Sequence, residues 1–341
     1  MPVLVAILLA GPLGLRTQGP LRELFLDVTG GDARPIERPE IDVRWSMSNT
    51  WNEFMTLVRN DRQARQELDE QADSISVRVA APWPWARRIS SALEWKITEH
   101  WGGWSDRPIE AWHSLIGAFN YQRAINPRNR IALTYADDGG TAFEITSATL
   151  AVGDLTARTQ VALVEGPVAL AARVDFKLPV GSLSAAGGSG GFDAASGLCA
   201  TWPFARWGTL HGLLAMSAFS RLSAPTALQP KTWHLTAEVS FEARIGETTL
   251  IVEDRVLSPL LEPGWTRVQS GVGGDDALLS SGLYAGFRSH NQISVGVRRG
   301  RFSTWMSEDF TPGSNPHSVL HWMWVSNAPD VVIGIAFTQQ L

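Results

Sequence analysis

Apolar and polar residues alternate one for one through long stretches of this chain. Between Trp233 and Ile245, the residues Trp233, Leu235, Val239, Phe241 and Ile245 share one parity. His234, Thr236, Glu238, Ser240, Glu242 and Arg244 share the other. A strand turns successive side chains to opposite faces, so this period of two predicts a β-strand with one greasy and one polar face. The pattern recurs in Ile41, Val43, Trp45 and Met47 against Asp42, Arg44, Ser46 and Ser48, and again in Ile75, Val77 and Val79 against Ser76 and Arg78. It returns in Leu93, Trp95 and Ile97 against Glu94, Lys96 and Thr98, and in Val174, Phe176 and Leu178 against Arg173, Asp175 and Lys177. The final segment, Val331 to Leu341, sets Val331, Ile333, Ile335 and Phe337 against mostly small residues.

Each segment covers about ten residues, enough for a tilted strand to cross a bilayer and about twice the length of an ordinary soluble strand. Between Ile41 and Leu341 there is room for roughly 12 to 14 such strands. The expected fold is therefore all-β: a single transmembrane antiparallel β-barrel spanning residues 41–341, closed by the last segment. Alternation alone does not say which face is wet, since a soluble sandwich alternates too. The placement of the fifteen tryptophans tips the balance. Trp83 and Trp85 flank one inferred turn, Trp202 and Trp207 another, and Trp101 and Trp104 follow a strand, as expected of rings collecting at two membrane–water boundaries.

The β pattern breaks between Trp101 and Arg130. Asp106 and Pro108 signal a helix start, and Ile109, Trp112, His113, Ile116 and Phe119 then fall on one helical face. A short amphipathic helix in a barrel loop can plug or gate the mouth, fold into the lumen, or lie on the membrane surface. At the other end, residues 1–10 form a short apolar run that suits a secretory signal peptide, leaving an N-terminal segment, 11–40, ahead of the barrel.

Composition removes other classes. No stretch approaches the ~18 apolar residues of a spanning helix. The net charge of −5 comes without a basic run, so nucleic acid is not an expected partner. The single cysteine, Cys199, allows no intrachain disulfide and no cysteine metal site, and metal-ligand and cofactor motifs are absent: none is expected. The Gly187–Gly191 run lacks the lysine and helix of a phosphate loop and reads as an exposed loop.

Several short runs together resemble a known family: Trp45-Ser-Met-Ser-Asn-Thr-Trp-Asn52, Gly102-Gly103, Ile109-Glu-Ala-Trp-His113, Pro127-Arg-Asn-Arg130, Lys177-Leu-Pro-Val-Gly181 and Ser307-Glu-Asp309. In this order they are similar to an uncharacterised, unknown-function family of Gram-negative outer-membrane β-barrel proteins. Gly11 to Leu21 resembles the mature N-terminus of that family. The resemblance implies the outer membrane, its lipids as surroundings, and barrel-assembly machinery engaging the C-terminal strand, although Leu341 stands where members carry an aromatic residue. It implies no activity.

Charge that cannot comfortably face lipid must line the lumen. Asp42, Arg44, Glu94, Lys96, Arg173, Asp175, Lys177, Glu238, Glu242 and Arg244 are the expected lining. Such a wall suits a porin-like channel or transporter for small solutes or apolar molecules, or a structural barrel whose lumen is filled by paired charges. An enzyme acting on lipids would need a serine and a histidine on one face. None of the seven histidines has a serine two positions away, so no catalytic residue is assigned.

Overall fold

The computed structural model describes residues 11–116, 127–224, 226, 229–261, 266–267, 290–310 and 331–341. The strands are β1 (Glu40–Arg59), β2 (Arg62–Trp83), β3 (Ala86–Trp101), β4 (Ala132–Asp137), β5 (Gly140–Ile145), β6 (Thr149–Val152), β7 (Leu155–Val164) and β8 (Ala169–Leu178). They continue as β9 (Asp193–Ala205), β10 (Gly208–Ala218), β11 (Trp233–Ile245), β12 (Thr248–Leu257), β13 (Thr266–Arg267), β14 (His290–Arg299), β15 (Phe302–Phe310) and β16 (Val331–Gln340). One helix, α1 (Asp106–Ile116), follows β3.

Every pairing is antiparallel, and the wall closes because β1 pairs with β2 on one side and with β16 on the other. Counting β6 and β7 as one strand interrupted at Gly153 and Asp154, the wall has twelve strands, within the range expected from sequence. At the break, the Gly153 N–H donates to the Lys96 carbonyl at 2.8 Å, so the ladder is bent rather than lost.

The apolar parity faces outward. Leu214 is 61% exposed, Leu235 55% and Ile75 53%, and Val77, Leu93, Trp95, Val239, Val295 and Ile335 are exposed with them. A contiguous apolar belt of this kind around a closed barrel is what lipid requires and what water would penalise. The polar parity faces inward and is buried. Aromatic residues mark both ends of the belt: Trp83 and Trp85 meet edge-on at one, with Trp202, Phe204 and Trp207 in a second cluster there. Trp101, Trp104 and Trp233 lie at the other.

The two ends differ. Short turns join β2 to β3, β7 to β8, β9 to β10, β11 to β12 and β14 to β15 at one end, where β1 also begins and β16 finishes. At the far end the connections are long, and the β1–β2 hairpin runs past the wall. There β4 pairs with Ala64–Asp69 of β2, and β5 pairs with β4, making a four-stranded flap. Its inner face carries Leu57, Ala64, Leu68, Leu133, Tyr135 and Phe143, with the Tyr135 and Phe143 rings stacked at 5.8 Å. Burial and the nearby Asp137 charge push the Tyr135 phenol well above its ordinary value, so it stays neutral beneath the flap.

Candidate functional site

The barrel lumen is occupied by the chain's own N-terminal segment. From Gly11 the backbone climbs from the short-turn end, makes a 3-10 turn at Arg22–Leu24 under the flap, and descends again to Glu40. Between Gly11 and Pro39 it forms no strand, so its backbone donors and acceptors cannot be met by a ladder. The wall's charged side chains meet them instead.

On the rising leg, the Leu13 and Gly14 N–H groups donate to Glu253 Oε2 at 3.0 and 3.4 Å. The Leu13 and Gly14 carbonyls accept from Arg44 Nη1 at 2.9 and 3.0 Å, and the Gly11 carbonyl accepts from Arg298 at 2.9 Å. At the tip, Lys177 Nζ donates to the Leu24 carbonyl at 2.9 Å, and the Leu26 N–H donates to Asp193 at 3.0 Å. On the falling leg, Arg173 Nη1 donates to the carbonyls of Thr29 and Gly30 at 2.7 and 3.0 Å. The Gly30 and Gly31 N–H groups donate to the two oxygens of Glu238 at 3.2 and 3.0 Å. Hydrogen bonds to charged groups such as the Arg44, Arg173 and Lys177 cations contribute about 1.5–3 kcal/mol each.

Side chains add to the grip. Arg16 faces Glu94 at 3.5 Å, Glu23 pairs with Lys96 at 2.7 Å, and Asp27 takes Arg255 at 3.0 Å. Leu13 and Leu15 pack on Ile251, Trp305 and Ala336 toward the short-turn end. Leu21, Leu24, Phe25 and Leu26 join Leu213, Phe219, Leu260 and the underside of the flap in one apolar cluster. Glycine is required where the fit is closest. A Cβ on Gly31 would lie 2.8 Å from the backbone of Gly212 on β10, and Gly14 and Gly30, neighbours on the two legs, both take the positive φ that favours glycine.

The residues expected to line the lumen do meet there, with one difference. Asp42 pairs with Arg44 at 2.6 Å, Arg173 with Asp175 at 2.6 Å, and Lys177 with Asp154 at 2.7 Å. Glu242 lies 3.2 Å from His211, whose other ring nitrogen meets Thr201. Arg244 has the inward parity but sits in the last turn of the wall, exposed, with Nε donating to the Gly246 carbonyl at 3.3 Å. Its strand has left the barrel interior by that point.

The segment expected as a plug or gate lies elsewhere. Asn49, Gln71 and Asp73 point to the outside of the wall. Asn49 Nδ2 donates to Ser105 Oγ at 2.9 Å, the Trp104 N–H donates to Gln71 Oε1 at 3.1 Å, and Trp101 Nε1 donates to Asp73 at 2.6 Å. These bonds hang the start of α1 on the outer face, where Asp106 also accepts from Asn49 Nδ2 at 3.3 Å; within the helix Ile109 is buried and Trp112 half-buried. The side chains of His113 and Ile116, all of Phe119, and residues 1–10 lie outside the described residues.

The lumen is full. Where the segment's tip meets β11, a cavity of about 10 Å³ remains beside Arg22, Phe25, Phe219, His234 and Leu260, room for about one water. One cross-strand serine–histidine pair stands beside it, Ser258 Oγ and His234 Nδ1 at 3.1 Å. The other imidazole nitrogen faces the Arg22 guanidinium at 3.4 Å, and Phe219 stacks on the ring. A hydrolytic base needs an acceptor behind it to stabilise the imidazolium. A cation there does the reverse, so this pair lacks the arrangement of a nucleophile and its base.

The fold is similar to the crystal structure of the COG4313 outer membrane channel from Pseudomonas putida F1, with a TM-score of 0.51 and 12% identity over 93% of this chain and 100% of that one. Fainter likeness extends to the P. putida toluene transporter TodX, with a TM-score of 0.38 and 8% identity over 90% of this chain and 91% of that one. A Pseudomonas aeruginosa FadL homologue also scores 0.38 at 8% identity, over 89% and 91%. At 12% identity the first likeness shows the fold alone, and the other two are too faint to carry an argument. No curated protein matches the sequence. A family model described as a protein of unknown function (DUF3187) matches residues 2–265.

Proposed function

For this chain, which belongs to the DUF3187 family of unknown function, we propose the role of an outer-membrane channel for small solutes that its own N-terminal segment holds shut. The observation that carries this reading is the way the segment is held. It is bonded to the wall through side chains and shares no ladder with it, so it can leave without unpicking the barrel. The exposed apolar belt, the two aromatic rims and the twelve-strand closure support a place in the outer membrane.

With the segment withdrawn, Asp42, Arg44, Glu94, Lys96, Arg173 and Glu238 would face water. A wall of both signs suits small polar solutes and disfavours apolar ones, which would have to displace strongly hydrated groups. The role needs no catalytic group and no cofactor. A second reading has one observation in its favour: the ion pairs and hydrogen bonds between segment and wall suit a structural barrel that never opens.

Planar-bilayer conductance separates the two. The intact protein is expected to be nearly silent, and a variant lacking residues 11–33 should give stable steps. Heat-modifiable migration in SDS gels would establish that the shortened barrel is folded. A folded, shortened barrel that stays silent would remove the channel reading and leave the structural one.

A further inference from the structure

We infer that α1 is an interfacial helix, seated at the rim of the outer leaflet with its Pro108–Ala111–Leu115 edge in lipid. This inference rests on the membrane placement proposed above.

Three observations lead to it. The first is position. The chain between Trp101 and Asp106 lies flush on the outside of β1, β2 and β3: Gly103 has φ of +68°, and a Cβ there would fall 2.3 Å from Gln71. Asn49, Gln71 and Asp73, which anchor this stretch, sit on the outward face of the wall immediately above Ile75 and Val77. Those two residues are 53% and 41% exposed in the apolar belt. The helix therefore begins where the belt stops.

The second is the division of the helix surface. Successive residues turn by about 100°. Asp106 faces the barrel, bonded to Asn49, and Ile109, on the adjoining side of the helix, is buried with it. The remaining exposed arc is split lengthwise. Pro108, Ala111 and Leu115 form one edge, with Leu115 78% exposed and the half-buried Trp112 beside it. Arg107 and Ser114 form the other edge, about a quarter-turn away. A helix surrounded only by water gains nothing from such a split, whereas one lying in a membrane surface requires it.

The third is continuity. Trp104, 56% exposed, stands at the junction between belt and helix, where an amphipathic ring belongs at a headgroup boundary. The apolar edge thus extends a lipid-facing surface already present, and lipid is the occupant that fits both.

Cysteine labelling tests this, because the native Cys199 is buried and a C199A background leaves introduced thiols alone. Leu115→Cys, Ser114→Cys and Ile75→Cys would each carry an environment-sensitive nitrobenzoxadiazole label, in the full-length protein reconstituted into phosphatidylcholine vesicles. A spin-labelled phosphatidylcholine should quench the Leu115→Cys label several-fold more than the Ser114→Cys label. Aqueous iodide should show the opposite order. Equal iodide quenching at both helix positions, with lipid quenching kept at Ile75→Cys, would overturn the inference and leave the membrane reading intact. A blue-shifted Leu115→Cys label that lipid does not quench would also overturn it, by placing a protein neighbour there. Loss of lipid quenching at Ile75→Cys as well would bring down the membrane placement itself.

Discussion

An Arg173→Ala protein is expected to keep its barrel and lose its hold on the N-terminal segment. Arg173 is 2% exposed and does two things at once. Its Nε and Nη2 bond both oxygens of Asp175, and Nη1 supplies the carbonyls of Thr29 and Gly30. Truncation leaves those carbonyls without this donor, while Asp175 keeps Arg158 at 2.9 Å. The two guanidinium bonds to the segment's carbonyls contribute about 1.5–3 kcal/mol each. At the lower end their loss costs about 3 kcal/mol, or roughly a hundredfold in the fraction of barrels with the segment released. Limited trypsinolysis reads this out after Arg16 and Arg22, which should be protected in the parent and cut rapidly in the variant; Arg34 precedes a proline and resists trypsin in both. Arg173→Lys should fall between, because a single ammonium cannot reproduce the forked contact with Asp175 and still reach both carbonyls. Parent-like protection of the segment in a folded Arg173→Ala barrel would show that this contact contributes little to closure.

Gly31→Val should open the channel by a different route, with no charge removed. The added side chain would begin 2.8 Å from the carbonyl of Gly212, backbone that cannot move without deforming β10. Overpacking of this kind costs about 1–3 kcal/mol. The same push also loosens the Gly31 N–H from Glu238. We expect conducting events in planar bilayers to rise at least tenfold over the parent, with Gly31→Ala weaker. Gly212→Ala is the control: its Cβ would meet only the Glu238 carbonyl at 3.9 Å, so it should stay as quiet as the parent. Equal activity in both would mean that loosening β10, rather than displacing the segment, opens the pore.

The wall was legible in the sequence because a strand writes its geometry in a period of two. Leu235, Glu238 and Val239 disclose their faces to any reader of parity, and the structure places each accordingly. Arg244 has the right parity but the wrong height, since parity says nothing about where a strand leaves the membrane. The helix was legible from Asp106, Pro108 and Ile109, but its side of the barrel was not. That side is decided by Asn49, Gln71 and Asp73, polar residues on an outward face that pattern alone would assign to water. The lumen segment was the least legible part. Leu13, Leu24 and Thr29 follow no period, because a chain recognised through its backbone has no need of one. Their partners Glu253, Lys177 and Arg173 stand more than 140 residues away. The trace it left was indirect: glycines at 14, 19, 30 and 31, and more inward charge than neighbouring strands needed to pair.

Both legs of the segment run to the same end of the barrel, and the flap covers the other. This gives the closure a mechanical polarity. A pull on residue 11 from the short-turn side would load the Arg298 contact first, then Arg44 and Glu253, then Lys177, so the bonds would peel in sequence at low force. A load pressing on the whole bend would strain all of them together, as in shear, and meet far greater resistance. The same set of contacts therefore behaves as a zipper from one side of the membrane and as a bolt from the other.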